Sequence, residues 1–245
     1  MDSRLRNLLV LDIETAAASK DFGELNERLQ KHWEHKSSFI RNEEDLVPEE
    51  LYQKKAGIYS EFGKVIVIAF GIFYELENGE IALRVKSLAN HDEHQLLLDF
   101  KTLIETKFDP ENLKLCGHNG KEFDFPYLSR RMLINELSLP YVLNNSGKKP
   151  WEVNFLDTME MWKFGDRKNF TSLELLTAIF NIPSSKSDID GSMVNEIYYQ
   201  EEQGLERIEK YCRGDVIATS QLYLKLNSLP LINEKNITIV DERFT

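Results

Sequence analysis

The stretch LLVLDIETA, residues 8–16, constrains the fold more than any other part of the chain. An apolar run from Leu8 to Leu11 has the character of a buried strand, and it ends in Asp12 and Glu14. Residues two apart on a strand share a face, so this strand delivers two carboxylates side by side. Like charges at that spacing repel, and burial sharpens the repulsion. The end of the strand at Ile13 therefore opens onto water, or something positive sits between the carboxylates.

The totals narrow the setting. A chain of 245 residues with 42% hydrophobic and 29% charged residues can bury one sizeable α/β core, and it is neither disordered nor membrane-spanning in composition. The apolar run near the start follows Arg4 and Arg6, is too short to cross a membrane, and has no small-residue cleavage site. Cys116 and Cys212 have neither disulfide-framework nor zinc spacing, so a reduced, cytoplasmic protein with no membrane association is expected, and both cysteines read as packing residues. The net charge of −11 argues against broad electrostatic wrapping of nucleic acid. It is compatible with an enzyme that holds a nucleic acid end through metal ions, because bound cations reverse the local charge.

Periodicity lays out the elements. Strands are expected at Leu8 to Ile13 and over FGKVIVIAFGIFYE, 62–75, with an Asn78-Gly79 hairpin returning through EIALRVKSL. Residues 16–60 are helix-like and charge-rich, interrupted at Pro48, and NERLQKHWEHK reads as an exposed helix on a surface insertion. The 91–107 segment is amphipathic, with Leu96, Leu97, Phe100, Leu103 and Ile104 on its apolar face. A short strand at 113–116 precedes a helix at 123–136, and a further short strand is expected at 154–156. Helices follow at 171–180, with Leu173, Leu175, Leu176 and Ile179 expected to be buried, and at 193–199 and 205–226. ITIV near the end suits a small last strand. This order suggests a single unit, 1–245, built on one mixed sheet flanked by helices.

Two more places carry carboxylates where such a sheet opens to solvent. Asp124, in LCGHNGKEFDFPYLSRR, follows a strand and starts a helix; Asp215, in EKYCRGDVIATSQLYL, shares a helical face with Tyr211, four residues before it. Each has a plain alternative taken singly: a solvated strand end, a helix-start residue favoured by the dipole, a solvated helix face. Four converging carboxylates need divalent cations, and hard oxygen ligands suit Mg²⁺ or Mn²⁺. Two such ions suit in-line phosphoryl displacement. The segments KKPWEVNF and KFGDRKNF set Lys148, Lys149, Arg167 and Lys168 among Trp151, Phe164 and Phe170. That mixture suits single-stranded nucleic acid, and it equally suits a solvated loop.

DIET, then HNGKEFDFPYLSRR, then IDGS with YCRGDV, taken in that order, resemble the DEDD superfamily of 3′–5′ exonucleases. Tyr211 four residues before Asp215, with Lys210 where the other branch has histidine, resembles the tyrosine branch, and most closely the predicted exonucleases related to the proofreading domain of family B DNA polymerases. The resemblance runs from Leu8 to about Leu226. It implies an α/β, ribonuclease H-like fold with a mixed five-stranded sheet, and a free-standing domain, since the chain has no room for a polymerase. It also implies roles. Asp12 would bridge two Mg²⁺ or Mn²⁺ ions, Glu14 and Asp215 would complete the first site, Asp124 would hold the second ion, and Tyr211 would orient the attacking water. Thr15, His118 and Asn119 would contact the terminal nucleotide, Asn119 and Gly120 also suiting a plain turn, while Asp157 would be structural. The substrate implied is a single-stranded DNA 3′ end, trimmed to nucleoside 5′-monophosphates. RNA ends, a catalytically silent nucleic-acid-binding module and a phosphohydrolase of small nucleotides are the alternatives.

Overall fold

A computed structural model describes residues 1–166, 170–183 and 189–240. Among them, six strands form one mixed sheet: β1 (Leu8–Ala17), β2 (Gly63–Glu75), β3 (Ile81–Ala89), β4 (Lys114–Gly117), β5 (Phe155–Asp157) and β6 (Ile237–Val240), in the order β5-β4-β1-β2-β3-β6. The hairpin strands β1, β2 and β3 are antiparallel; β4 runs parallel to β1, β5 to β4 and β6 to β3. The expected sheet has five strands. ITIV supplies the sixth by adding to the outer edge of β3, pairing Leu83 through Lys86 with Ile237 through Val240.

Alternation along β1 divides the core between the two faces of the sheet. Leu9, Leu11 and Ile13 pack with Ile68 and Phe70 against α3 (Glu93–Lys107) and α4 (Asp124–Ile134). All five apolar residues expected to face inward on α3 are buried. Leu8, Val10 and Ala16 face the other way, toward α7 (Val194–Gln200) and α8 (Gly204–Leu226), whose Ile208, Cys212 and Val216 enter that core. Between β5 and α7 lie α5 (Thr158–Lys163), too short to stand out by periodicity, and α6 (Leu173–Phe180). On α6 only Leu176 of the four expected apolar residues is fully buried; Leu175 and Ile179 are exposed.

The segment 18–62 is an excursion between β1 and β2, and it has a core of its own. It carries α1 (Glu27–Ser37) and α2 (Pro48–Lys55). Trp33 of α1 is fully buried, against the expectation of an exposed helix: its ring packs edge-on to Tyr52 at 5.3 Å and to Phe62 at 5.1 Å, and its indole N–H donates to the Pro48 carbonyl at 2.7 Å. One large apolar side chain is enough to fix a helix whose other faces are polar. The cluster closes on Ala17, so the excursion is seated on the end of β1.

Candidate active site

The carboxylates of β1 lie within the strand, not at its end. The strand continues through Thr15, Ala16 and Ala17, because the two alanines are buried and their backbone still pairs with β2. The register changes between them: Glu14 pairs with Val67 but Thr15 with Val65, leaving Ile66 as the extra residue of a bulge. A bulge locally increases twist and re-aims side chains, and here it sits directly beside Glu14. On its other edge β1 pairs with β4 only from Leu8 to Val10. Beyond that point the backbone of β1 needs another partner. Asp124, the first residue of α4, fills the gap: its Oδ1 accepts from the Ile13 N–H at 3.0 Å.

One stretch of α8 completes the group. Tyr211, Cys212 and Asp215 fall within a turn or so of helix, and the Tyr211 hydroxyl faces the Asp215 carboxylate. The Cys212 Sγ lies 3.2 Å from Asp12 Oδ2 and 3.5 Å from the Asp12 carbonyl oxygen, placing the thiol as donor to both. Donor atoms of Asp12, Glu14 and Cys212 lie within 4.8 Å of one another. Sequence reasoning takes Cys212 for packing. It is buried as that reading requires, but its thiol also touches the central carboxylate. Its position beside Tyr211 and three residues before Asp215 is the signal that could have found it.

The electrostatics are those of an acidic centre whose members raise one another's pKa values. Burial, and then the charges of Asp124, Glu14 and Asp215, hold the Asp12 pKa well above the ordinary carboxylate range. Burial, Asp215 and Asp124 do the same for Glu14. Asp124 is pushed up to about 7 by burial, against the lowering effect of the Ile13 hydrogen bond. Asp215 is pushed up to about 6 by burial, with the Tyr211 hydroxyl acting the other way. Burial and the same carboxylates raise the Tyr211 phenol and the Cys212 thiol. The leading influences on the four carboxylates are burial, the charges of their acidic neighbours, and hydrogen bonds from Ile13, Tyr211 and Cys212.

The flanking residues are held by the protein itself. Thr15, beyond the bulge, turns its hydroxyl to Tyr127, which donates to the Gly57 carbonyl at 2.8 Å. His118 is engaged at both ring nitrogens, Nδ1 with Thr158 Oγ1 and Nε2 with the Thr171 carbonyl, each at 2.9 Å. Asn119 makes the turn from β4 to α4 at φ 66°; its side-chain Oδ1 is buried with no hydrogen-bond partner among the described residues. Gly120 allows this turn to fold back tightly, since a Cβ there would come within 2.9 Å of the Phe125 ring. Asp157 is structural as expected, accepting from the backbone N–H groups of Asn119, Lys121, Met159 and Glu160. Lys148 lies over the Tyr141 ring and Lys149 over Trp151, in the exposed loop that leads into β5, whereas the carboxylates gather beyond the other end of that strand. Phe164 and Phe170 are exposed; Arg167 and Lys168 lie outside the described residues.

This architecture is a ribonuclease H-like α/β fold, similar to the exonuclease region of a family B DNA polymerase. The chain aligns with the structure of the family B DNA polymerase from the hyperthermophilic archaeon Pyrobaculum calidifontis at a TM-score of 0.55 and 17% identity, over 90% of this chain and 24% of that one. The family model described as "predicted 3′–5′ exonuclease related to the exonuclease domain of PolB" matches residues 58–234, and the chain belongs to that family. The matched span contains Asp124, Tyr211 and Asp215. Asp12 and Glu14 precede it, and join the other three through the placement of β1.

Proposed function

We propose that this chain is a metal-dependent 3′–5′ exonuclease that shortens single-stranded DNA from its 3′ end and releases nucleoside 5′-monophosphates. The observation that carries the reading is the convergence of four carboxylates from three elements, Glu14 and Asp124 buried and Asp12 and Asp215 half-buried, each with its pKa raised by burial or by its acidic neighbours. Such a centre fits hard divalent ions, Mg²⁺ or Mn²⁺, bound by oxygen. Asp12, Glu14 and Asp215 would hold one ion, and Asp12 with Asp124 the second. When bound, these ions supply Lewis-acid stabilisation of phosphoryl charge and a nucleophilic water at neutral pH.

The remaining work falls to the chain. The reaction joins a water oxygen to the terminal phosphorus and breaks the bond from that phosphorus to the 3′ oxygen. Tyr211 keeps its phenolic proton, since its pKa is raised, and so orients the water by hydrogen bonding; it does not act as the base. The Ile13 N–H fixes one oxygen of Asp124, and the bulge at Thr15 sets the approach of Glu14. The whole span acts as one exonuclease domain, with the 18–62 excursion seated beside the site.

The test uses 5′-labelled single-stranded DNA and matched RNA with Mg²⁺, Mn²⁺ or EDTA, on the wild type and Asp12→Ala. A metal-dependent ladder receding from the 3′ end, lost in Asp12→Ala, is expected with DNA. A ladder with RNA alone would move the substrate to RNA. Cleavage that survives in Asp12→Ala, or binding without cleavage of either polymer, would refute the assignment. Tyr211→Phe should slow trimming by less than Asp12→Ala does.

A further inference from the structure

We infer that Cys212 is a positioning residue for the central carboxylate, its S–H setting the rotation of Asp12 so that Oδ1 is the oxygen offered to metal. The inference rests on the metal-dependent reading of the site above. Asp12 stands among Glu14, Asp124 and Asp215, whose like charges repel its carboxylate and offer neither of its oxygens a donor. Oδ2, part-buried, gains from a donor, because an acceptor withdrawn from water and left unpaired is destabilising. Cys212 supplies it: Sγ is 3.2 Å from Oδ2 and 3.5 Å from the carbonyl oxygen of the same residue.

The thiol thus bridges the side chain and the backbone of Asp12, across 200 residues of sequence. It is fully buried in the core shared by β1 and α8, so its own position is fixed by packing with Ile208 and Val216. Serine could donate in the same way, but with a shorter reach and a greater cost of burial. Alanine or valine would leave Oδ2 without this donor. A residue that only filled space would show no difference between serine and alanine beyond stability. A residue that orients a ligand through its outer hydrogen bond typically changes metal affinity by 10–100-fold when lost. A thiol is a weak donor, so the lower end of that range applies here.

The experiment measures Mn²⁺ binding directly, by electron paramagnetic resonance or calorimetry, on the full chain as wild type, Cys212→Ala and Cys212→Ser. Melting temperatures in EDTA are recorded alongside. Cys212→Ala should weaken Mn²⁺ binding roughly tenfold, and Cys212→Ser should recover to within about threefold of wild type. In trimming assays the half-saturating Mn²⁺ concentration should rise in parallel, with a smaller loss of rate at saturating metal. If Cys212→Ala does not fold, Cys212→Val fills the space without a donor and takes its place. Mn²⁺ affinity unchanged in the donor-less variant would overturn the inference. So would serine binding as poorly as alanine, because size and not donation would then be what matters. A wild type that binds no Mn²⁺ would overturn this inference and the metal site together. A wild type that binds Mn²⁺ but trims neither polymer would remove the exonuclease reading alone, and the comparison of variants would still decide the role of Cys212.

Discussion

Replacing Asp124 with asparagine should make the metal-free protein more stable. Asp124 is 4% exposed, and burial is the first cause that pushes its pKa from 3.8 up to about 7. Asparagine keeps an Oδ1 to accept from Ile13 and removes the charge. The sign follows from linkage. A carboxyl whose pKa is raised by folding destabilises the folded state fully above about pH 7, progressively less as pH falls, and not at all below about pH 4. Each unit is worth about 1.4 kcal/mol, so the penalty above pH 7 is about 4 kcal/mol. At this chain length that corresponds to roughly 8–16 °C in melting temperature.

The assay is thermal unfolding of wild type and Asp124→Asn in EDTA, at pH 5, 6, 7 and 8. The variant should melt higher at pH 8 and converge on the wild type toward pH 5. Added Mn²⁺ should reverse the order, because ligand binding stabilises the native wild type in proportion to the logarithm of ligand over dissociation constant, and the variant has lost one ligand. A variant less stable than wild type at pH 8 without metal would refute the reasoning. So would a gain that does not change with pH, since charge would then not be its cause.

Three further outcomes follow from contacts outside the carboxylate group. Asp157→Ala removes the acceptor for four backbone N–H groups and should destabilise by about 3 kcal/mol or more in urea unfolding. Asp157→Asn should lose less, and equal losses would mean that packing and not hydrogen bonding sets the cost. Glu93→Ala strands Arg131, which is 8% exposed and pairs with Glu93 through Nε at 2.8 Å and also through Nη2; a loss of about 3–5 kcal/mol is expected, and a loss under 1 kcal/mol would show the pair to be dispensable. Trp33→Ala should cost about 3–5 kcal/mol locally, raising amide exchange across α1 and α2 while leaving Mn²⁺ binding intact. Loss of metal binding in that variant would mean that the excursion supports the site as well as sitting beside it.

The pieces that were readable in the sequence are those in which one segment determines its own outcome. The apolar face of α3 repeats at helical spacing and is buried as expected. Asp124 at a helix start and Asp215 within a helix are legible because each lies in a segment with clear periodicity. The unread pieces depend on partners far away in sequence. β1 looks finished at Ile13, since nothing local says that Ala16 and Ala17 will pair with Lys64 and Gly63 across a bulge. α1 looks solvated because a single tryptophan anchors it, and the value of that tryptophan comes from Tyr52 and Phe62. The same limit hides Cys212. Its place beside Tyr211 and three residues before Asp215 marks it as near the site, but its contact arises only when α8 is laid across β1 and the thiol meets Asp12. A carboxylate announces its chemistry by residue type wherever it stands, whereas the group that orients it can be almost any donor, and only the packing of the two elements shows which one it is.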